Sequence, residues 1–349
     1  MPCPSAQTVA GDDSLYECIY CRRRADASAF DREHVLSEAF GKFKNSLVLH
    51  EFVCRGCNRF YGDGIERELT RDAFEAMLRY QKHVKRSEDG PIRMRHVEVT
   101  VPDGGAWAGV RLQLAGVAGD VLFRPAPQVG ALDDDGKWVH LTAWEIDSGF
   151  FDQHPHFKRK GAQLRILAPN PDEHSQLVDK LASHGVNYSQ SGSRTTADQL
   201  LGTCGSEVEV AFTLNQNMRR CIAKYALNYL ACTCNSRFTL APEFDAVREF
   251  ARYGKQPDYP MVRAHFSPIL ADDRPTLRQT DGHLIVISWD NSLNFLTCQV
   301  SIFNYITYDV VLCRELKSAV WRPIHSGHHY DIFDMTVRPI TGISKSIAS

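Results

Sequence analysis

Two C-x2-C pairs are the residues of this chain whose spacing speaks most directly of chemistry: Cys18 with Cys21 in CIYC, and Cys54 with Cys57 in CRGC. Each pair fits a knuckle-like turn, and together they offer the four soft ligands of one tetrahedral structural Zn2+. Paired spacing of this kind argues against a chance scatter of buried thiols. Between the pairs a carboxylate is followed directly by an imidazole, Glu33-His34, and the second pair is followed at once by an amide, Asn58.

For one ion to collect both pairs, the chain between them must turn back on itself. AFDREHVLSEAFG is expected to carry a short strand or turn up to His34 and a loop or helical turn to Gly41. A second short strand is expected around Ser46 to His50, running into the second Cys pair. From Asp63 the apolar residues Ile65, Leu69, Phe74 and Leu78 recur at helical spacing, with Glu66, Arg67, Glu68, Arg71 and Asp72 on other faces. The order is strand, strand, helix. A unit so small buries too little apolar surface to fold unaided, and a structural zinc supplies the missing stability. Arg22, Arg23 and Arg24 leave the first knuckle, where a fixed turn either aims guanidinium groups at phosphates or leaves them as a solvated loop.

The bulk properties narrow the class. With 349 residues the chain is long enough for two or three domains, and its composition is that of a soluble globular protein. A formal net charge of −2 means that any nucleic-acid contact comes from local basic patches rather than a cationic surface. No apolar run is long enough to span a bilayer, and the first residues lack the apolar core of a signal peptide, so a cytoplasmic location and no membrane partner are expected. Of eleven cysteines, four belong to the zinc pattern. The rest, in a reducing compartment, are expected to be small buried hydrophobes. Cys232-Thr-Cys234 lacks a matching second pair, so packing is favoured over a second metal there.

Along the remaining chain, residues 1–14 are expected to be a mobile tail. The polar stretch 83–95, containing Gly90-Pro91, places a boundary after 90. Val97, Val99 and Val101, then Val110, Leu112 and Leu114, alternate as half-buried antiparallel strands. Asn170 and Pro171 open a helix that should stop at Gly185, and a polar seam follows near 186–206. Glu207 to Leu214 alternates again. Asn217 is expected to cap a helix with Met218, Ile222, Tyr225, Ala226 and Tyr229 on its apolar stripe. A helix near Pro242 to Tyr253 should end at Gly254. Strands are expected from His283, Phe295 and Tyr308, with a hairpin turn at Asp290-Asn291-Ser292, and HSGHHYD (325–331) is expected to be a polar loop.

The order Cys pair, acid-His, Asn, Cys pair, Asn resembles the HNH endonuclease superfamily in its zinc-stapled ββα-metal form. The resemblance covers about the first eighty residues and implies hydrolysis of phosphodiester bonds. A neutral histidine, ordinary pKa about 6.5, activates water, and a divalent cation stabilises charge on the phosphoryl and leaving oxygens. On that resemblance His34 matches the general base. Glu33 and Asn58 match the ligands of the catalytic cation, and Asn45, in KNSLV, matches the middle asparagine that holds the loop so that the imidazole is oriented; a plain turn residue is the other reading of Asn45. The sequence departs from the commoner Asp-His or His-His pair at Glu33, and has Asn58 where a histidine often stands. An oxygen-rich set of this kind suits Mg2+ or Mn2+.

The expected architecture is therefore α+β. A tail (1–14) precedes an HNH nuclease domain with structural zinc (15–90), then a larger α+β region with a mostly antiparallel sheet (91–349) for substrate choice, ligand sensing or oligomerisation. Nucleic acid is the expected partner, DNA ahead of RNA, with a homo-oligomer and an activating ligand left open. In bacterial proteins with such a module, the resemblance implies restriction, mobile-element or anti-phage settings. The competing readings are an RNA-cleaving nuclease and a non-catalytic zinc module that binds nucleic acid or protein.

Overall fold

The computed structural model describes residues 3, 6–8, 14–84, 97–102, 107–117, 120–186, 209–270, 281–290, 295–315 and 326–340. The chain forms two compact units, one of Met1–Arg86 with Leu214–Ser349, the other of Ser87–Thr213. The expected division after residue 90 differs from this in one important way: the chain from Leu214 onward returns to the unit that holds the cysteines. The seam expected near 186–206 lies, beyond Val186, outside the described residues.

In the first unit β1 (Tyr16–Glu17) and β2 (Arg24–Ala25) pair antiparallel and flank the first cysteine knuckle. The hairpin β3 (Phe30–His34) and β4 (Val48–Cys54) follows, and α1 (Arg55–Phe60) starts directly from the end of β4. α1 continues through two wide, π-type turns, Tyr61–Ile65 and Glu68–Asp72, before Ala73 goes extended (φ −103, ψ 174) and α2 (Phe74–Gln81) begins. The single helix expected from Asp63 is thus two. Its start lies at Arg55 because the second Cys pair, which gives no apolar periodicity, occupies its first turn.

The second unit is built on antiparallel sheets, as alternation suggested. β5 (Val97–Thr100), β6 (Arg111–Val117) and β7 (Asp120–Pro125) belong to a four-stranded sheet. β8 (Gln128–Leu132) and β9 (Trp138–Thr142) lead through a capping box at Thr142 and Glu145 into α3 (Ala143–Asp147). β10 (Leu164–Leu167) completes a three-stranded sheet in the order β10-β8-β9. α4 (Pro171–Ser183) is capped by Asn170, whose side chain accepts from the Glu173 N–H, and it packs Leu177 and Leu181 against Val129, Leu141 and Phe151. β11 (Glu209–Phe212) pairs with β5 and closes the four-stranded sheet.

The chain then returns to the first unit as α5 (Gln216–Thr233), an 18-residue helix that is buried from Cys221 to Cys232. Its cap is Asn215, which accepts from the Met218 N–H; Asn217, expected in that role, lies in the first turn and donates to Glu68. α6 (Ser236–Thr239) and α7 (Asp245–Tyr253) follow, and α7 stops as expected at Gly254, which takes the left-handed conformation at φ 74. A six-stranded antiparallel sheet ends the unit: β12 (Val262–His265), β13 (Gly282–Asp290), β14 (Phe295–Ile302), β15 (Ile306–Arg314), β16 (Ser326–Asp331) and β17 (Thr336–Pro339), in the order β12-β15-β14-β13-β16-β17. α5 packs across β13, β14 and β15 on one side, and against β4 and the wide turns of α1 on the other.

Three expectations change here. HSGHHYD is a strand from Ser326 on, not a loop, because Tyr330 is core and His328 accepts or donates toward the buried Tyr229 hydroxyl at 2.6 Å; His325 lies outside the described residues. The tail is tied down where it is described: Cys3 forms a disulfide with Cys232, and the Gln7 N–H donates to Ser236 Oγ at 2.8 Å. Cys232 is therefore not a free packing thiol, since its sulfur meets one that no local pattern places beside it. Asn291 and Ser292 of the expected hairpin turn lie outside the described residues, although β13 and β14 pair as expected up to Asp290 with Phe295.

His283 on β13 shows how polar groups are settled in this core. Its Nδ1 accepts from the Phe303 N–H at 3.2 Å, so Nε2 carries the hydrogen and donates to Phe40 O at 3.0 Å. Burial among Phe40, Phe43 and Phe303 pushes its pKa down to about 3. The unfolded chain takes up this proton near 6.5 and the folded chain does not until about 3, so stability is lost as pH falls through that window, by up to about 1.4 kcal/mol per pH unit. Urea midpoints measured from pH 7 to 4 should fall accordingly, and His283→Gln should flatten the slope; an unchanged slope would refute the assignment.

Candidate active site

The four cysteines come together. Their sulfurs lie within 4.8 Å of one another, with Cys21 Sγ and Cys54 Sγ 3.6 Å apart. Cys18 and Cys21 sit on the turn between β1 and β2, where the Cys18 N–H donates to Arg23 O and Arg22 adopts φ 61. Cys54 ends β4 and Cys57 lies in the first turn of α1, so one ion would clamp knuckle, hairpin and helix at a single point. Hydrogen bonding within the cluster pulls the Cys21 thiol down to about 6, led by Cys18. Soft donors on rigid turns at this separation fit a tetrahedral zinc. Ile19 on the knuckle donates to Phe52 O at 3.0 Å and accepts from Arg248 Nε of α7 at 2.7 Å, which fastens the turn from both sides.

Glu33 and His34 are neighbours in β3, and alternation sends them to opposite faces. Glu33 points inward. Its carboxylate pairs with the Lys224 ammonium of α5 and accepts from Asn228 Nδ2 at 3.0 Å, with only 4% of the side chain exposed. Lys224, 2% exposed, also pairs with Glu66, which lies between the two wide turns of α1. Burial opposes the ammonium, but the Glu33 and Glu66 carboxylates outweigh it and hold its pKa above the ordinary lysine value. Asn228 further donates to His34 O at 3.2 Å and accepts from the Tyr20 hydroxyl at 2.6 Å.

His34 points outward and is about a quarter exposed, at 23%. Its Nδ1 lies 3.3 Å from Ser46 Oγ and its Nε2 3.3 Å from Glu38 Oε1. Burial lowers its pKa, with Glu38 pulling the other way. The imidazole is thus held from one side by the hairpin loop and faces a carboxylate at the surface on the other.

The two asparagines both bond the backbone, Asn45 through both ends of its amide and Asn58 through its N–H alone. Asn45 donates to Val337 O at 2.7 Å and accepts from the Val337 N–H at 2.8 Å, so it pins the β3–β4 loop to β17 and makes no bond to His34. It does fix the loop in which the adjacent Ser46 meets the ring. Asn58, in α1, donates to Arg32 O at 3.0 Å, beside the point where the hairpin register slips and Glu51 takes φ 61. Of the pair expected to hold the cation, Glu33 already holds an ammonium in a dry pocket, which does not fit that role, whereas Asn58 gives only its amide N–H to the strand edge and keeps its amide oxygen, the atom that would face a cation. Arg22 and Arg24 are exposed and both pair with Glu17, and Arg22 with Asp245 as well.

Residues 18–74 match the family model of the HNH endonucleases. This part of the chain is an HNH module stapled by a four-cysteine cluster of the zinc-binding kind. No curated protein and no solved structure matches the chain. Reading the sequence of the HNH module missed Glu38, Ser46 and Glu66 within it, and Lys224 and Asn228 outside it. Glu38 stands four residues after His34, within reach of it along the chain; Lys224 and Asn228 carried no local signal, because they lie off the apolar stripe Met218, Ile222, Tyr225, Ala226 and Tyr229, where polar residues are expected to face solvent.

Two measurements test the site. Cys54→Ser should lose the bound zinc, one per chain, and lower the melting midpoint by on the order of 10 °C, whereas Cys313→Ser should keep the metal; full zinc in Cys54→Ser would remove the staple from the account. Asn45→Ala should cost about 1–3 kcal/mol in chemical unfolding, because the Val337 backbone loses both partners. A neutral result would mean that the loop is held by other contacts.

Proposed function

We propose that the chain is an HNH endonuclease that hydrolyses phosphodiester bonds of DNA with His34 as general base and a divalent ion, Mg2+ or Mn2+, as its metal requirement. The observation that carries this reading is the imidazole itself: the HNH module leaves it about a quarter exposed, with Ser46 Oγ beside Nδ1 and the exposed Glu38 carboxylate beside Nε2. With Nδ1–H donated to the serine hydroxyl, Nε2 has a lone pair for a proton of the attacking water once the Glu38 carboxylate, which only accepts, turns away from it; at 3.3 Å the carboxylate then accepts from Nε2–H of the imidazolium that forms. Zinc at the four cysteines keeps hairpin and helix in register and takes no part in bond breaking. The second unit and the C-terminal sheet supply substrate choice or control.

One observation favours a non-catalytic module that only binds nucleic acid or protein: the Glu33 carboxylate is sealed against Lys224. Cleavage of supercoiled plasmid, linear duplex, single-stranded DNA and RNA separates the two readings. With Mg2+ or Mn2+ present, the wild type should cut DNA and chelator should stop it. His34→Ala should lower the rate by about a hundredfold or more, with zinc content and melting midpoint unchanged. Equal cutting by both proteins would remove His34 from the mechanism. Absence of cutting by the wild type, with nucleic acid still bound, would favour the binding module, and a preference for RNA would transfer the same chemistry to that substrate.

A further inference from the structure

We propose that the second unit carries a slot for one nucleobase, walled by the indoles of Trp107 and Trp138 and closed in this structure by the Arg165 side chain. The site lies on the three-stranded sheet β10-β8-β9, whose two faces divide by alternation. Val129, Ala131, Val139, Leu141, Leu164 and Ile166 take the face that packs with α4. The other face carries Arg165, Gly130 and His140 as one row across the strands, with Trp138 two residues before His140. A turn in which the Val110 N–H donates to Trp107 O brings the second indole to the same place. The Arg165 guanidinium carbon lies over both rings, 4.3 Å from the Trp107 centroid and 3.8 Å from that of Trp138. An aromatic gap that one flat, delocalised group fills is sized for one flat ring, and a nucleobase offers the same stacking face.

Gly130 and His140 form the floor of the slot. A Cβ at Gly130 would stand 2.6 Å from His140 Cδ2 and 3.3 Å from Trp138 Cε3, so the glycine is what lets imidazole and indole lie across the central strand. His140 is 6% exposed and stacked on Trp138, yet neither its Nδ1 nor its Nε2 has a hydrogen-bond partner among the described residues. One of the two nitrogens carries a hydrogen in the neutral ring, and a buried N–H is normally paired. Nε2 lies over Gly130, the residue between His140 and Arg165 in the row, where the edge of a base that displaces the guanidinium meets it. Charge selects the class of ligand. The neighbouring charges that act on the imidazole are the Arg165 and Arg111 guanidiniums, the second tied to Glu145. Two cations disfavour a cationic peptide side chain and favour a nucleotide, whose base stacks while its phosphate meets the displaced Arg165. Arg165 therefore closes the empty slot and holds the phosphate of the filled one. The tie to substrate choice rests on the nuclease reading above, whereas base binding does not.

The test uses the full, zinc-loaded chain without added divalent ion, so that nothing is cut. Binding of a labelled oligodeoxyadenylate of about ten nucleotides, and of the same oligomer made abasic, is read by fluorescence anisotropy; AMP and adenosine are titrated by calorimetry. The wild type should prefer the oligodeoxyadenylate to its abasic counterpart by about tenfold, the worth of one stacked base, and Trp107→Leu or Trp138→Leu should remove that preference and leave abasic binding unchanged. Arg165→Ala should bind adenosine severalfold more tightly than the wild type, because the slot stands open, and should bind AMP no better than adenosine, because the phosphate contact is gone. If Trp138→Leu folds poorly, Trp138→Phe should keep the preference while Trp107→Leu still loses it. AMP bound as tightly as the oligomer identifies a free nucleotide as the source of the base, and binding of the oligomer alone identifies a strand. Three results overturn the proposal: equal wild-type binding of the two oligomers, an Arg165→Ala protein that takes adenosine no better than the wild type, or an arginine-rich peptide preferred to both oligomers and lost in Trp138→Leu. None of these readouts involves cleavage, so failure of the His34 test leaves them untouched.

Discussion

A charge out of water has to be neutralised where it lies, and in this protein that condition falls on Lys224. Its ammonium is in the middle of α5, among Glu33, Glu66 and two tyrosine rings, with almost no solvent contact. Removing one member of such a set leaves an unpaired buried charge, at a typical cost of about 3–5 kcal/mol. Helix α5 is therefore held in one register against the HNH module, and the six-stranded sheet on its other side is aligned with it. Tyr20, Asn228 and the backbone at His34 join the same network, so the position of the candidate base is tied to a helix far along the chain.

Zinc-stapled modules of this size have little core of their own, and two devices compensate here. The cysteine cluster joins knuckle, hairpin and helix at one point. The C-terminal segment then supplies the apolar surface: Phe40 packs on Tyr225, His283 and Phe303, and Phe43 on Tyr330. Asn45 adds a two-bond tie to β17. The module is consequently part of a larger core rather than a bead on a linker. Chain order suggested the bead, because the residues that complete the core are separated from it by the whole second unit.

Within the module the two halves of the acid-His pair have separate duties. Alternation along β3 turns Glu33 toward the buried ammonium and His34 toward the surface, where Ser46 and Glu38 take over its surroundings. An acid next to a histidine in sequence thus reads as a single reactive unit, while the strand divides it into an inward electrostatic anchor and an outward proton acceptor. The same division explains why the carboxylate that meets His34 is Glu38 rather than its neighbour Glu33.

Local patterns were enough for much of this. The C-x2-C pairs identified the staple because a tetrahedral ion demands four donors at that spacing, and Asn170, Gly254 and the period-two runs marked helix ends and strands because capping and pleating act between neighbours. The HNH resemblance likewise rests on residues within one short stretch. The strand at 326–331, the Cys3–Cys232 bond and the partners of Asn45 were settled only when distant segments met. Lys224 is the clearest case. On an apolar helix it carries no signal of its own, and its meaning depends on two carboxylates that tertiary packing delivers from the other end of the chain, because electrostatic partners are chosen by distance in space and not along the sequence.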